Sequence, residues 1–303
     1  MPNTSTTNPD VLDIQFQDIF QEQLKALPDM IPSVFSMIPH NGRADIRFSD
    51  VGELEDFIEF DGQVGYDRLY DGYDVVATYR EWVRGLQIER KLMDDDQFSV
   101  FSQRPRAMAN AAHRTRQKHG AQVYNKAFSA ANDFYTHSEG VPLCSSAHTN
   151  TTGASTANGF DNAGTSALSA TALETARQAM IGFRDDRANR ISITPNQIVT
   201  GPGNAEVAYE IVESRGKVDV ANNNANFHNG SYQILVWNYI EDANDWFLED
   251  TMLKSDMLFW SDRIPLEFAM VEDFDTFYAK WRGYMRYTWT WQRWHWVYGS
   301  QVS

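Results

Sequence analysis

The sequence contains one cysteine, Cys144, in 303 residues. A disulfide framework within the chain is therefore excluded, and synthesis in a reducing compartment fits. No uninterrupted apolar run approaches the ~20 residues that span a bilayer, so no membrane association is expected. The opening MPNTSTTNPDVLDIQFQ has no basic leader ahead of an apolar stretch, so a secretory signal is not expected. A Gly-x-x-x-x-Gly-Lys phosphate loop and a Gly-x-Ser-x-Gly nucleophile elbow are both missing. The seven histidines fall at no metal-ligand spacing. Neither a catalytic residue, a metal nor a cofactor is expected.

Three partial motifs come closest to chemistry. QIVTGPGNAEVA has a strand, Gly-Pro-Gly and a helix, but Glu206 stands where a dinucleotide fingerprint needs a third Gly or Ala. A turn and helix cap is the simpler reading. Cys144 and His148 offer a thiol and a base, without a recognisable orienting group. The Asp94-Asp95-Asp96 run could hold a cation, but ahead of a helix it reads first as an acidic cap that complements the helix dipole.

What is present is a globular composition, 42% hydrophobic and 22% charged, with a formal net charge of -15. An exterior this acidic repels phosphate and argues against general nucleic-acid binding. One stretch departs from the rest: Gln97 to Asn132 holds six Lys or Arg and no Asp or Glu. Its composition predicts a helix from Pro105 to Ala131, roughly 40 Å long at about 1.5 Å per residue. A wheel places Met108, Ala109, Ala112, Gly120, Val123 and Ala127 on one face, a small-residue stripe suited to lying on a sheet. Arg116 and His119 border that stripe and must reach past it or meet acidic partners. The basic outer face is a solvated surface, a phosphate strip, or a contact with an acidic surface of another copy.

In chain order, Val11 to Leu27 shows a helical apolar period closed by Pro28 and Pro32, an arm whose apolar side needs a partner. Arg47 to Tyr73 is acidic and punctuated by turn pairs. The following VVATYREWVRGLQIERKLMDDD alternates as extended chain, with Leu86, Ile88 and Leu92 on one side, and predicts a protruding hairpin-like excursion with little buried surface. The Ser/Thr/Asn/Gly-rich stretch after Leu143 reads as a linker at a domain boundary. Beyond it, a helix from Thr171, short strands ISIT and QIVTG, the helix AEVAYEIVES, and strands YQILVWNY and MLFW suggest an α+β unit. Trp246 and Phe247 fall in the stretch between the last two strands. The end, WRGYMRYTWTWQRWHWVYG, carries five of the nine tryptophans in alternation with a one-residue phase change. Trp-rich faces stack sugars or bases, but more often they are buried under a helix.

The order of GLQIERKLMDDDQF, RPRAMANAAHRTRQKHGAQVYNKAF, GVPLCSSAH, ALSATALETARQAM, ITPNQIVTGPGNAEVA, DWFL and WHWVYG resembles the major head subunits of tailed bacteriophages, particularly the Mu-like type, over about Arg47 to Gly299. The resemblance implies an α+β, HK-ninety-seven-like major capsid fold. Residues 1–48 would be an N-terminal arm, 49–96 an extended loop over the adjacent subunit, and 97–165 a peripheral domain with the basic segment as spine helix. Residues 166–265 would be the axial domain and 266–303 a return to the peripheral domain.

The implied function is a self-assembling, non-enzymatic icosahedral shell around phage double-stranded DNA, located in the virion and assembled in the host cytoplasm. Partners would be other copies, as hexamers and pentamers, together with scaffolding, portal and decoration proteins. Val75 to Leu92 would lie over a neighbour, with contacts drawn from Glu81, Trp82, Arg84, Glu89, Arg104, Arg106 and Arg114. Lys-to-Asn cross-links, found in some capsids of this fold, have no basis in the sequence. From other classes, a carbohydrate-binding protein would use Trp289, Trp291, Trp294 and Trp296, and a hydrolase would use Cys144 and His148.

Overall fold

The computed structural model describes residues 9–60, 62–64, 66–89, 103–216, 224–273 and 278–302. Helix α1 (Pro9–Ala26) stops one residue before Leu27, where the following proline disfavours helical backbone. Its Phe20 is fully buried and stacks on Phe268 at 4.8 Å, beside Met108 and Ala109. The arm helix thus finds this partner within its own chain. A short helix α2 (Ile31–Val34) and strand β1 (Ser36–Met37) follow.

Strands β2 (Asp45–Val51) and β3 (Asp71–Thr78) pair antiparallel, and β4 (Arg80–Glu89) runs on after a single-residue break. Helix α3 (Gln103–Asn125) is the expected long helix, six residues shorter at its C-terminal end. Its end is fixed by tertiary bonds: Asn125 Nδ2 donates to Tyr239 O at 2.9 Å, and the Cys144 amide donates to Ala127 O at 2.8 Å. Helix-forming alanines beyond that point yield to these partners. The Asp94-Asp95-Asp96 run, with Lys91 and Leu92, lies outside the described residues.

The remaining elements are β5 (Tyr135–His137), β6 (Ala163–Gly164), α4 (Ala170–Ile181), β7 (Gln197–Thr200), α5 (Ala205–Glu213), β8 (Gln233–Val236), β9 (Trp246–Glu249), α6 (Thr251–Met257), β10 (Leu258–Glu272), β11 (Tyr278–Trp291) and β12 (Val297–Ser300). They form sheets ordered β1-β10-β11-β4, β6-β12-β9-β7-β8 and β2-β3-β5. A single core reaches from Ile31 to Val297 and joins the first two sheets. The Ser/Thr-rich stretch is threaded into it. Asn162, fully buried, donates to Leu143 O and Val297 O and accepts from the Ser145 amide.

Three local expectations differ from the structure. The run Ile191 to Thr194 joins no sheet, because the Ile191 amide donates to Phe183 O and that of Thr194 to the Asp250 carboxylate. Trp246 and Phe247 belong to β9, a central strand buried at all four positions, where burial on both faces erases alternation. Met257 ends α6, and the strand beginning at Leu258 runs for 15 residues.

Helix α3 lies on the sheet through the bordering residues. Arg116 makes a two-pronged pair with Asp262 at 2.9 and 2.7 Å and sits 5.2 Å over the Trp260 ring. His119 meets the Tyr287 hydroxyl at 2.6 Å, its ring 4.2 Å from that of Trp82. Gly120 sits where a Cβ would come within 3.0 Å of the Trp237 ring, so the helix approaches its neighbours too closely there for a side chain.

Burial lowers the His119 imidazole to about 4 and that of His295 to about 3. The unfolded chain takes up both protons near pH 6.5, whereas the folded chain stays neutral until well below it. Protons therefore favour the unfolded state in that window. Stability is full above about pH 6.5 and falls as the pH drops toward 4 and then 3. Denaturant midpoints measured from pH 7 to 4 are expected to decline steadily, and His119→Gln is expected to make the decline shallower. A midpoint independent of pH over that range would contradict this account.

Candidate inter-subunit surface

Between paired Val51 and Asp71 the chain leaves the body in a 19-residue excursion, 52–70. Its base is clamped. The Arg293 guanidinium donates to both Asp50 carboxylate oxygens at 2.8 and 2.7 Å, to Glu53 Oε1 at 2.6 Å and to Val51 O at 3.1 Å. Arg187 donates to Glu55 Oε1 at 2.9 Å and to Arg68 O at 2.8 Å, and lies 5.3 Å over the Tyr70 ring. The Glu53 amide donates to Asp186 Oδ1, and the Glu55 amide to Asp67 Oδ2 at 2.8 Å, which brings the two strands of the stem together.

Past the clamp the chain carries large apolar side chains that stand in water. Phe57 is 106% exposed, Tyr66 92%, Ile58 77% and Phe60 73%. These side chains bury almost nothing within their own chain, yet they are the residue types that most favour leaving water. Acidic Asp56 precedes them, and Glu59 lies between Ile58 and Phe60. The sequence shows the acidic turns of this stretch but not its role, because the apolar residues follow no helical or strand period. Their density within a charged segment is the signal that could have found it.

The residues singled out from the sequence divide between body and surface. Val75 and Ala77 are fully buried in β3, and all ten residues of β4 pair with β11. The part of the excursion expected to lie over a neighbour is thus largely folded into its own chain, since β11 offers a continuous partner. Glu81 stands 3.5 Å from Arg286 of the same chain, and Trp82 packs in the core against His119. Arg84 and Glu89 on β4 and Arg104, Arg106 and Arg114 on α3 are exposed.

Neither alternative chemistry has a formed site. The four tryptophans are buried, with Trp289 and Trp291 at 1%, Trp294 at 4% and Trp296 at 0% exposure, so they present no stacking platform. The array is also split: Trp291 ends β11, and Trp296 precedes β12 in the other large sheet. His148 has both ring nitrogens engaged, Nδ1 with Glu139 at 3.0 Å and Nε2 with Asn162 Oδ1 and Leu143 O at 3.2 and 3.3 Å. Burial pushes the Cys144 thiol well above its ordinary range, where it is a poor nucleophile. Among the described residues there is no cluster of His, Cys, Asp or Glu that could hold a metal ion, and no helix is long and apolar enough to cross a membrane.

Comparison with known proteins bears on the whole chain. A family model described as phage capsid protein matches residues 73–299. No curated protein sequence matches. Among solved structures, the mature capsid of bacteriophage PhiM1 aligns with a TM-score of 0.57 at 12% identity, covering 89% of this chain and 86% of that one. The bacteriophage JBD30 capsid aligns at 0.57 and 15% identity over 77% of this chain and 99% of that one. A structure of Mycobacterium phage Patience aligns at 0.58 and 11% identity over 99% and 90%. At these identities the likeness is one of fold.

Proposed function

The chain belongs to the phage capsid protein family, and from that premise we propose that its exposed excursion 52–70 is the element by which one copy grips the next. It is a structural shell protein of the virion, not an enzyme, with the mixed α+β fold of phage capsids, and it associates with itself. The observation that carries the proposal is the pairing of a rigid stem with an apolar tip. Arg293 and Arg187 tie the stem to the body, and the tip leaves Phe57, Ile58, Phe60 and Tyr66 in water. In a lone molecule that exposure is a cost, and a neighbouring copy removes it.

The division of labour follows the resemblance. Residues 1–48 act as the arm, 49–96 as the extended loop, and 97–165 with 266–303 as the peripheral domain built on α3. Residues 166–265 form the axial domain, which packs around capsomer centres in hexamers and pentamers. Exposed Arg84, Arg104, Arg106 and Arg114, with Glu89, are contact residues at the rims, each exposed pair contributing about 0 to 1 kcal/mol. Glu81 and Trp82 support the contact from within their own chain. Scaffolding, portal and decoration proteins join in the host cytoplasm, and the shell confines double-stranded DNA without reading its sequence.

Electron microscopy and analytical ultracentrifugation of the purified protein, alone and with a co-expressed scaffold, test the reading. Shells, rings or capsomers are the expected result. A monomer under every condition would overturn it.

A further inference from the structure

The tripeptide His-Asn-Gly occurs twice in the chain, at 40–42 and at 228–230, and Asn158-Gly159 is the remaining Asn-Gly pair. Asn-Gly pairs are prone to an internal reaction, because glycine puts no side chain in the way when its amide nitrogen closes on the asparagine side chain. The two His-Asn-Gly copies share their local chemistry. A difference in reactivity between them is therefore set by the fold.

At 228–230 the fold ties down both reacting groups. The Gly230 amide donates to Val212 O at 2.9 Å, and Asn229 Nδ2 donates to the same carbonyl at 3.2 Å. The preceding His228 is buried. The attacking nitrogen is occupied, and the group that it would attack is held. At Asn158-Gly159 the restraint is steric: a Cβ on Gly159 would collide with Gly182 O and Arg184, and Gly159 O accepts from the Arg184 amide at 3.2 Å. That peptide group has little room to turn.

At 40–42 neither restraint is present. Residues 39–44 are all exposed, and apart from its chain neighbours no atom lies within 4 Å of where a Gly42 Cβ would stand. Among the described residues nothing accepts from the Gly42 amide. Asn41 Oδ1 accepts from the Arg43 amide at 3.0 Å, an Asx turn that folds the side chain back over the following peptide. Its Nδ2 is only within 3.5 Å of Asp45 O. Arg263 holds the carbonyls of Gly42 and Arg43 and leaves the nitrogen free.

We infer that Asn41 is a self-modification site of the folded chain, converted through a cyclic imide to aspartate and isoaspartate while Asn229 and Asn158 are protected. The Gly42 nitrogen gives its proton to solvent base and attacks Asn41 Cγ. The N–Cγ bond forms, the Cγ–Nδ2 bond breaks, and the side-chain nitrogen takes a proton from water and leaves as ammonia. Water then opens the imide ring at either carbonyl, and nothing is oxidised or reduced. Each event adds one negative charge to a copy, and the isoaspartate form also adds a carbon to the main chain. The altered loop joins β1, paired with β10, to β2, whose far end begins the excursion 52–70. The new carboxylate adjoins the Arg263 guanidinium, by which β10 holds this loop. The site rests on the fold of the single chain and is independent of the capsid reading.

The test holds the purified full-length chain in warm, mildly alkaline buffer, folded or in denaturant. Peptides covering the three Asn-Gly pairs are followed by mass spectrometry, and isoaspartate is quantified by enzymatic methylation of its carboxylate. In the folded chain Asn41 is expected to convert at least about tenfold faster than Asn229, which reacts only when its loop opens. In denaturant the two rates are expected to agree within about threefold, because the protecting bonds are gone and the tripeptides are identical. Asn41→Gln is expected to remove most of the isoaspartate that the folded chain accumulates. Conversion of Asn229 or Asn158 as fast as Asn41 in the folded chain would overturn the proposal. So would a preference of undiminished size in denaturant, since local sequence and not the fold would then select the site.

Discussion

Removing residues 57–65 and joining Asp56 to Tyr66 through Gly-Ser-Gly is expected to abolish shells while leaving a folded monomer. The cut ends suit so short a link, because the Glu55 amide already bonds the Asp67 carboxylate at 2.8 Å. Stem pairs from Arg293 to Asp50 and Glu53 and from Arg187 to Glu55 are retained. The excised Phe57, Ile58 and Phe60 contribute little to the monomer, since they are 73% or more exposed. Its melting temperature is therefore expected to shift by no more than about two degrees, within the usual range for surface changes of about 0.5 kcal/mol.

Assembly has no such tolerance. Burying each large apolar side chain contributes about 1.5–3 kcal/mol, so losing even two per contact costs ~3–6 kcal/mol. That raises the concentration needed for assembly by a factor of more than about one hundred at each contact, and every copy repeats the loss. Sedimentation and electron microscopy of the excised and intact proteins at matched concentration decide the matter. Shells of normal yield from the excised chain would remove the tip from the assembly mechanism.

The parts of this architecture that were legible in the sequence are those governed by local chemistry. The arm helix ended at its proline, and α3 declared itself by composition and by a small-residue stripe whose bordering Arg116 found its acidic partner in Asp262. The tryptophan array read as core, and five of its side chains are at 4% exposure or less. What escaped was decided by long-range pairing. Nothing in Arg80 to Glu89 shows that its partner lies some 200 residues onward in β11, so a strand with charges on both faces read as a protrusion. The same limit hid β9, which lies between β12 and β7 in its sheet and is buried at all four positions, so that no alternation marks it. The phase change between Trp291 and Trp294 was legible and coincides with the end of β11, but nothing local shows that the chain passes there into a second sheet.

The assembly surface was harder to see than the fold for a related reason. A core residue is recognised by its period, but a docking tip need only be apolar and unsupported, and support is a property of the folded chain. The excursion's acidity was visible in Glu53, Glu55, Asp56 and Glu59, yet two of these serve the chain's own arginines and two are left for a partner. Only the clamp separates the two roles.

The largest stability loss from a single side chain outside the aromatic core is expected at Lys254. This lysine is 4% exposed, and its ammonium donates to Glu249 Oε2 at 2.6 Å and Gln197 Oε1 at 2.7 Å. Glu249 is itself fully buried and directly opposite Gln197 in the β7–β9 ladder. The ion sits in the last turn of the short helix α6, whose start is fixed by Asp250 accepting from the Met252 and Leu253 amides. Lys254→Ala strands the Glu249 carboxylate in the core without its counter-ion. Breaking a buried pair from one side costs about 3–5 kcal/mol, on the order of ten degrees in melting temperature for a chain of this size. Replacing both residues by methionine removes the desolvation cost along with the attraction, and is expected to recover most of that loss. A double variant no more stable than Lys254→Ala would mean that the pair is held for what it does to the geometry of β9 and α6, and that its charge balance is secondary. Calorimetry on the single and double variants separates the two accounts. Because β9 is the middle strand of its sheet, the outcome also decides whether that sheet is set by hydrophobic packing alone or needs a charged pin at its centre.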